Sequence, residues 1–245
     1  MFQPASLKGD SPTPIDERVR TKYIGLYLII ILLSFLFPCL FEYLYLITLW
    51  RVGFYWLFFL LLPFNIVLMI YLLQVSATLF AALLLKAINL IHIPKEGNFK
   101  RSIEDKDYLF WNIRNIIKKW PLYIIASNPF PWFKQRFTLR FFGVKIGRKS
   151  ICNNSWISSE FVSIGKNVII GMNSTILTFG IEQENFILTR IIIEDNVLIG
   201  AKCVLLPGTI IKENAKLSAH SYTSYNSILE KNSIYTGHPA KVKKD

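Results

Sequence analysis

The chain has 245 residues, of which 52% are hydrophobic and 15% aromatic, and its formal net charge is +12 at pH 7. This length accommodates one large domain or two modest ones. The charge suits nucleic acid, anionic lipid or a phosphorylated ligand, but no segment resembles a module that reads nucleic acid. We therefore expect lipid or phosphate, and no nucleic acid, as the partner.

Metal and disulfide chemistry are not predicted. Three cysteines are too few for a disulfide framework. The three histidines, His92, His220 and His238, are far apart in sequence and have no carboxylate at metal-ligand spacing. A zinc enzyme of the hexapeptide carbonic anhydrase type needs three converging histidines, so this reading is set aside.

The first part of the chain is apolar. Residues 1–22 carry prolines and charges and are predicted to be a cytoplasmic tail. Residues 23–90 contain two apolar runs, 23–50 and 53–85, each longer than the about 20 residues that span a bilayer. They predict a transmembrane helical hairpin, with a kink or tilt at Pro38 and Glu42. Two long buried helices of a soluble protein are the alternative, although runs this long and apolar are rare there.

Basic residues flank both ends of this hairpin. Before it stand Arg18, Arg20 and Lys22, and after it stand Lys86, Lys95, Lys100 and Arg101. Because cytoplasmic segments carry an excess of Lys and Arg, the pattern predicts an integral membrane protein with both termini in the cytoplasm.

Residues 91–145 form a connector. Apolar residues at helical spacing predict an amphipathic helix over 107–120, ended by Pro121. In the following segment, Trp132, Phe133, Phe137, Phe141 and Phe142 are interleaved with Lys134, Arg136 and Arg140. Interleaved rings and cations favour the lipid headgroup layer. The same rings could instead cap the open end of the following domain, and both can hold.

From residue 146 to the C-terminus the sequence repeats every six residues. The repeating core-type residues are Ile146, Cys152, Ile164, Ile170, Ile176, Ile193, Ile199, Leu205, Ile211, Leu217, Leu229 and Tyr235, with Ser158 and Thr223 as weak members. Small or β-branched residues recur four positions later. This period predicts a parallel β-helix over 146–245 with three hexapeptides per turn.

The repeat is interrupted once. Ile193 comes seventeen positions after Ile176, where one hexapeptide takes six. The surplus predicts a loop inserted over 178–192. In a solenoid such an insertion maps to one face, often the binding face.

Two segments of the repeat carry a family resemblance. Residues 193–211, with the sequence IEDNVLIGAKCVLLPGTII, and residues 235–241, YTGHPAK, resemble the last coils of left-handed parallel β-helix acyltransferases. The resemblance implies a left-handed β-helix, a homotrimer, and acyl-coenzyme A in the groove between neighbouring chains. Residues 91–245 also resemble the C-terminal region of membrane-bound peptide synthetases of the polylysine-synthetase type, without their adenylation domains.

The resemblance also implies a site. Ala201 and Ala219, one coil apart, match the turn residues whose amides hold the pantetheine arm, although alanine also simply fits a tight turn. Lys241 and Lys243, with Lys244, match the basic residues that meet the 3′-phosphate, although such a tail is often only solvated. The family's catalytic histidine falls early in the interrupting loop, where this chain has Phe179.

Three residues are candidates for the missing base. His220 adjoins Ala219, and imidazole has a pKa suited to accepting a proton from an attacking hydroxyl or amine. Glu182 and Glu184 in the loop are the other candidates, provided that they are buried. The function expected is a membrane-anchored transferase that moves an acyl (acetyl) group from acyl-CoA to a lipid-linked or membrane-surface acceptor without a metal. The alternative is a non-catalytic trimeric scaffold, which the missing loop histidine favours.

Overall fold

A computed structural model of the chain describes residues 23–126, 134–152, 154–182 and 184–243. The predicted tail 1–22, Trp132, Phe133 and Lys244 lie outside the described residues, as do the side chains of Lys134 and Arg136. The helices are α1 (Ile24–Ser34), α2 (Leu36–Arg51), α3 (Tyr55–Ile91) and α4 (Lys106–Ala126), followed by a π-helical turn, Lys134–Leu139.

The apolar part of the chain forms two long helical segments. Ile24–Arg51 and Tyr55–Ile91 are long and apolar enough to cross a membrane, and only 17% and 6% of their most apolar windows are buried. The first segment breaks at Phe35, between α1 and α2. Pro38 explains the break, because it has no N–H to donate to the carbonyl of Ser34 and its ring clashes with that carbonyl. The predicted kink therefore takes the form of a helix break.

Helix α4 lies against α1 and α3. The carboxylate of Asp105 caps its N-terminus by accepting the N–H groups of Asp107 (2.9 Å) and Tyr108 (3.2 Å). The prediction that Pro121 ends the helix is wrong, because α4 continues to Ala126. Pro121 is itself buried on the face that packs inward, so tertiary contacts maintain the helix past the missing hydrogen bond.

Residues 145–242 wind into a parallel β-helix with three sheets, as the six-residue period predicts. Sheet I contains β2 (Lys145–Ile146), β4 (Val162–Ile164), β9 (Ile191–Ile193), β12 (Ile210–Ile211) and β14 (Ile228–Leu229). Sheet II contains β5 (Ile169–Ile170), β10 (Leu198–Ile199), β13 (Lys216–Leu217), β15 (Ile234–Gly237) and β16 (Ala240–Val242). Sheet III contains β3 (Trp156–Ile157), β6 (Thr175–Ile176) and β11 (Val204–Leu205).

The repeat positions form the interior. All the strong members named above are buried except Ile146, which is partly buried against the same core. At the weak member Ser158 the sequence prediction is off by one residue, since Ile157 pairs with Ile176 and fills the inward position. Thr223 does lie inside, where its hydroxyl meets that of Thr209 at 2.7 Å, so the buried polar pair is satisfied.

The corners of the prism follow one backbone rule. A residue with positive φ recurs at each corner; these are Lys149, Asn154, Phe161, Asn167, Asn173, Asn196, Lys202, Gly208, Asn214, His220, Asn226 and Asn232. Asparagine tolerates this left-handed conformation better than other side-chain-bearing residues. We call the corners I–II, II–III and III–I after the sheets that they join.

The predicted loop at 178–192 is a β-hairpin at corner III–I. Its strands are β7 (Phe179–Glu182) and β8 (Asn185–Leu188), and β8 also pairs antiparallel with β1 (Gly97–Lys100) from the connector. The ring of Phe186 is fully buried against Tyr108 and Trp111 of α4. The hairpin therefore fastens the connector to the side of the β-helix.

Candidate functional site

Corner II–III brings Ala201 and Ala219 into adjacent coils. A Cβ added to Gly200 would lie 2.3 Å from the amide nitrogen of Ala219, and one added to Gly171 would lie 2.4 Å from that of Ala201. Only glycine permits backbones to approach so closely. This contact explains why glycine follows the aliphatic repeat residue at these turns.

The amide N–H groups at this corner are available. Within the described residues, no hydrogen bond is assigned to the N–H of Ala201 or Ala219. At corner I–II two of the equivalent amides are occupied, because Lys166 N–H donates to Asp195 (2.7 Å) and Glu213 N–H donates to Glu194 (2.9 Å). Corner II–III thus presents two stacked donors that an outside acceptor can engage.

His220 lies at the same corner. It occupies the positive-φ position (φ 58°) that asparagine takes at most other corners, and its backbone N–H donates to the carbonyl of Ala201 at 2.9 Å. Its imidazole is exposed, and no carboxylate of the described chain forms an ion pair with it. The structure therefore places His220 beside both alanines, but leaves the ring unoriented within one chain.

Glu182 lies elsewhere. It ends β7 in the hairpin at corner III–I, so one chain does not bring Glu182 and His220 together. Burial, together with the charge of Glu182, raises the pKa of Tyr225, which packs against Gly180 of the same hairpin. Glu182 is thus part of the contact between the hairpin and the coil below it.

Lys241 and Lys243 lie on the last coil. Lys241 stands in β16 opposite Thr236, and the N–H of Lys243 donates to the carbonyl of Ile234 at 2.7 Å. Both side chains are exposed. Sheet II leads into corner II–III, so these cations belong to the same side of the prism as Ala219.

Phe179, where the family has its histidine, has a packing role. Its ring centroid lies 4.9 Å from that of Trp111 and 6.2 Å from that of Trp156. It therefore joins the aromatic cluster that holds the hairpin against α4. An imidazole at this position would be surrounded by rings.

The structure also contains a buried charge cluster that sequence reasoning missed. Arg114 and Lys118 of α4 are each 2% exposed, and both contact Oε1 of Glu160 at corner III–I, Arg114 through Nε at 2.8 Å. Burial lowers the pKa of Lys118. Although burial alone would raise the pKa of Glu160, the two cations bring it below its ordinary value. The sequence does show two cations four residues apart on one predicted helix, which is compatible with a shared partner. That partner, Glu160, is more than forty residues away, so the sequence does not identify it.

His92 has a carboxylate partner that its sequence position did not reveal. Its Nε2 lies 3.3 Å from Oδ1 of Asp107, and its ring stacks on Phe110 at 4.5 Å. The pair joins the end of α3 to the start of α4. We assign it a structural role.

Comparisons with known proteins agree with the repeat. Residues 161–182 and 190–222 match the family described as the hexapeptide repeat of succinyl-transferase. A curated relative from Bacillus subtilis (strain 168), "Putative acetyltransferase YvoF", is 31% identical over 100 residues, which cover 39% of this chain and 58% of the relative. This chain therefore spans less than two thirds of that relative's length.

Solved structures resemble the fold at low sequence identity. A hexapeptide-repeat acetyltransferase, VCA0836 from Vibrio cholerae, is 19% identical, covers 49% of this chain and 83% of its own, and gives a TM-score of 0.43. A galactoside acetyltransferase in complex with coenzyme A is 20% identical, covers 52% and 78%, and gives 0.41. The repeat match and the curated relative, together with the wound coils, support the hexapeptide-repeat acyltransferase superfamily for the β-helical part of this chain.

Proposed function

We propose that this protein is a membrane-anchored acetyltransferase that moves an acetyl group from acetyl-CoA to a hydroxyl or amine presented at the membrane surface. The observation that carries the proposal is the pair of free amides of Ala201 and Ala219, stacked one coil apart at corner II–III. The resemblance to the superfamily implies that these two amides hold the pantetheine arm. The curated relative, named as an acetyltransferase, supports the same activity.

The chemistry follows from this corner. The two N–H groups donate to pantetheine carbonyls, and Lys241 and Lys243 pair with the 3′-phosphate. The acceptor oxygen or nitrogen attacks the thioester carbon, the new C–O or C–N bond forms, and the C–S bond breaks to release coenzyme A. His220 takes the proton of the attacking group and returns it to the leaving sulfur. A neighbouring chain of a homotrimer covers the exposed ring and orients it.

The exposed apolar helices support insertion into a bilayer. The segment Ile24–Arg51 has 28 residues, a length of about 42 Å at about 1.5 Å per residue, which exceeds the about 30 Å of a hydrocarbon core. Phe64 on the neighbouring α3 is 74% exposed. The amide of Asn65 donates to Glu42 at 2.9 Å, so the polar groups of the two helices meet each other. The basic flanks support a cytoplasmic position for both termini and the β-helix.

Binding of acetyl-CoA tests the site. The full chain is purified in an uncharged detergent and its melting temperature is measured with and without acetyl-CoA. Ala219→Phe fills the space over the amides, whereas Lys231→Phe places the same ring at the equivalent position of corner I–II. We expect acetyl-CoA to raise the melting temperature of the unchanged chain and of K231F, but not of A219F. No rise in the unchanged chain would refute the proposal.

The role of His220 is tested by His220→Asn. Asparagine occupies the same left-handed position at other corners, so this change removes the imidazole and keeps the backbone. Thiol release from acetyl-CoA, with a membrane lipid extract as acceptor source, is expected to fall about 100-fold or more. Lys202→Asn, at the same position one coil earlier, is the control. Equal rates for H220N and the unchanged chain would exclude His220 as the base.

A scaffold is the second candidate. The packing of Phe179 into the aromatic cluster favours it, because the family's base position is then committed to structure. A trimer that neither binds nor cleaves acetyl-CoA would establish this function instead.

A further inference from the structure

A cavity of about 670 Å³ lies where α3 meets the β-helix. One wall is apolar and comes largely from Leu79, Leu83 and Leu90 of α3, with Phe141 and Phe142. Most of the charged lining residues come from α4 and the β-helix, and Lys86 of α3 lies beside the leucines. The cavity is therefore amphipathic, with a hydrocarbon side and a polar side.

Cations dominate the polar side. The charged residues of the lining are Lys86, Arg114, Lys118, Lys145, Arg190 and Glu160. Glu160 neutralises one of these five positive charges. Arg190 is neutralised by Glu96, which lies 2.7 Å away and outside the lining. A surplus of three positive charges remains, which favours an anionic ligand.

The buried charge cluster has one donor and one acceptor to spare. Arg114 is 2% exposed, and its Nη1 has no hydrogen-bond partner among the described residues. Leaving a guanidinium donor unpaired in the interior costs free energy, so an acceptor from outside stabilises it. Oε2 of Glu160 also lacks a partner in that part of the chain. Because both atoms are enclosed, a ligand that brings a hydroxyl beside its anionic group satisfies them only when neighbouring side chains move aside.

The apolar wall continues out of the cavity. Leu83 is 63% exposed and Leu90 is 83% exposed on α3, the helix that enters the bilayer in the proposed function. Lys86 lies between them, near the C-terminal end of α3, where the helix reaches the level of lipid headgroups. Acyl chains along α3 would thus place a headgroup at the cationic wall.

We propose that this cavity binds an anionic phospholipid, with the phosphate between Lys86, Lys145 and Arg114 and the chains against Leu83 and Leu90. The headgroup hydroxyl reaches Glu160. The proposal rests on the membrane insertion proposed above, since the bilayer supplies the ligand, but it is independent of acetyl transfer. Its ligand class is a phosphate ester that carries both acyl chains and a polyol.

Three probes test the two halves of the ligand. The full chain in an uncharged detergent is titrated with dioctanoyl phosphatidylglycerol, dioctanoyl phosphatidylcholine and glycerol phosphate, and binding is measured by thermal shift and native mass spectrometry. We expect phosphatidylglycerol to bind at least about tenfold more tightly than either other probe. Equal binding of phosphatidylcholine overturns the requirement for an anion. Equal binding of glycerol phosphate shows a soluble phosphate site and overturns the lipid.

Paired variants localise the site. Lys86→Gln with Lys145→Gln changes two exposed side chains, so the fold is retained, and we expect binding of phosphatidylglycerol to weaken about tenfold or more. Lys216→Gln with Lys231→Gln removes the same charge from exposed positions outside the cavity and should change nothing. Equal weakening in both pairs would mean that only overall charge matters, which overturns the site. Acetyl-CoA binding, measured on the same proteins, reports separately on the transferase proposal.

Discussion

Replacing Glu160 should destabilise the protein far more than replacing a cation beside it. Glu160→Gln removes the carboxylate that Arg114 and Lys118 share, and it leaves two cations, each 2% exposed, without a counter-charge. Removing one partner of a buried ion pair costs about 3–5 kcal/mol. We expect a loss of this size in the free energy of unfolding.

Lys118→Met should have a much smaller effect. The cluster carries one positive charge in excess, and this change leaves a balanced pair of Arg114 and Glu160 while keeping an apolar side chain of similar length. Exchanging a buried charge for a packed apolar group is often neutral or stabilising. We therefore expect a change within about 1 kcal/mol, in either direction.

Chemical and thermal unfolding of the full chain in one detergent measures both effects. Glu96→Gln is the matched control, because it breaks the half-exposed pair with Arg190 and should cost less than about 1 kcal/mol. For a chain of this size, 1 kcal/mol shifts the melting temperature by roughly 2–4 °C. The charge argument fails if E160Q costs no more than E96Q. It also fails if K118M is as damaging as E160Q.

Three further predictions use the same unfolding assays. The pKa values of Glu160 and Lys118 are both lowered by folding, so the unfolded chain binds more protons and the free energy of unfolding rises with pH. The difference in the free energy of unfolding between the unchanged chain and E160Q should shrink below pH 4.5. The unchanged chain should also gain stability with rising pH up to about pH 10.5, and this gain should disappear in K118M. Gly200→Ala places a Cβ 2.3 Å from a backbone nitrogen of the next coil and should cost about 1–3 kcal/mol of stability. Gly25→Ala has open space around it and should not have this cost; equal effects of the two changes would contradict the close packing of the coils. Phe186→Ala empties a fully buried ring site beneath the hairpin and should lower the free energy of unfolding by about 3–5 kcal/mol. Amide exchange in β7 and β8 should become faster. A decrease under about 1 kcal/mol would show that the hairpin does not depend on the aromatic cluster.

The β-helix was predictable because its sequence pattern is local and strictly periodic. Each hexapeptide places one aliphatic side chain inward and ends in a turn whose positive-φ position is often asparagine. The spacing alone therefore assigns almost every residue of the repeat to the interior, to a turn or to the outer surface. The single error, Ser158 for Ile157, arises where the spacing becomes five and then seven. The inward position there goes to Ile157 rather than to Ser158, because burying an aliphatic side chain is more favourable than burying a hydroxyl.

The candidate site was predictable in part. The eighteen-residue spacing places Ala201 and Ala219 at the same corner of neighbouring coils, and His220 follows Ala219 directly in sequence. The proximity of these three residues is therefore a consequence of the repeat. The position of Glu182 did not follow. A hairpin inserted at one corner can bend toward either neighbouring face, and the rings of α4 decide its place.

The sequence by itself determined the period, the inward residues, the turns and the two long apolar segments, since each depends on neighbours within about one turn. The tertiary structure alone decided which distant segments meet. Strand β1 pairs with β8, α4 runs past Pro121 because its buried face packs, and Glu160 meets two cations on a helix more than forty residues earlier. Such contacts depend on shape and charge across the folded chain, and no local spacing records them.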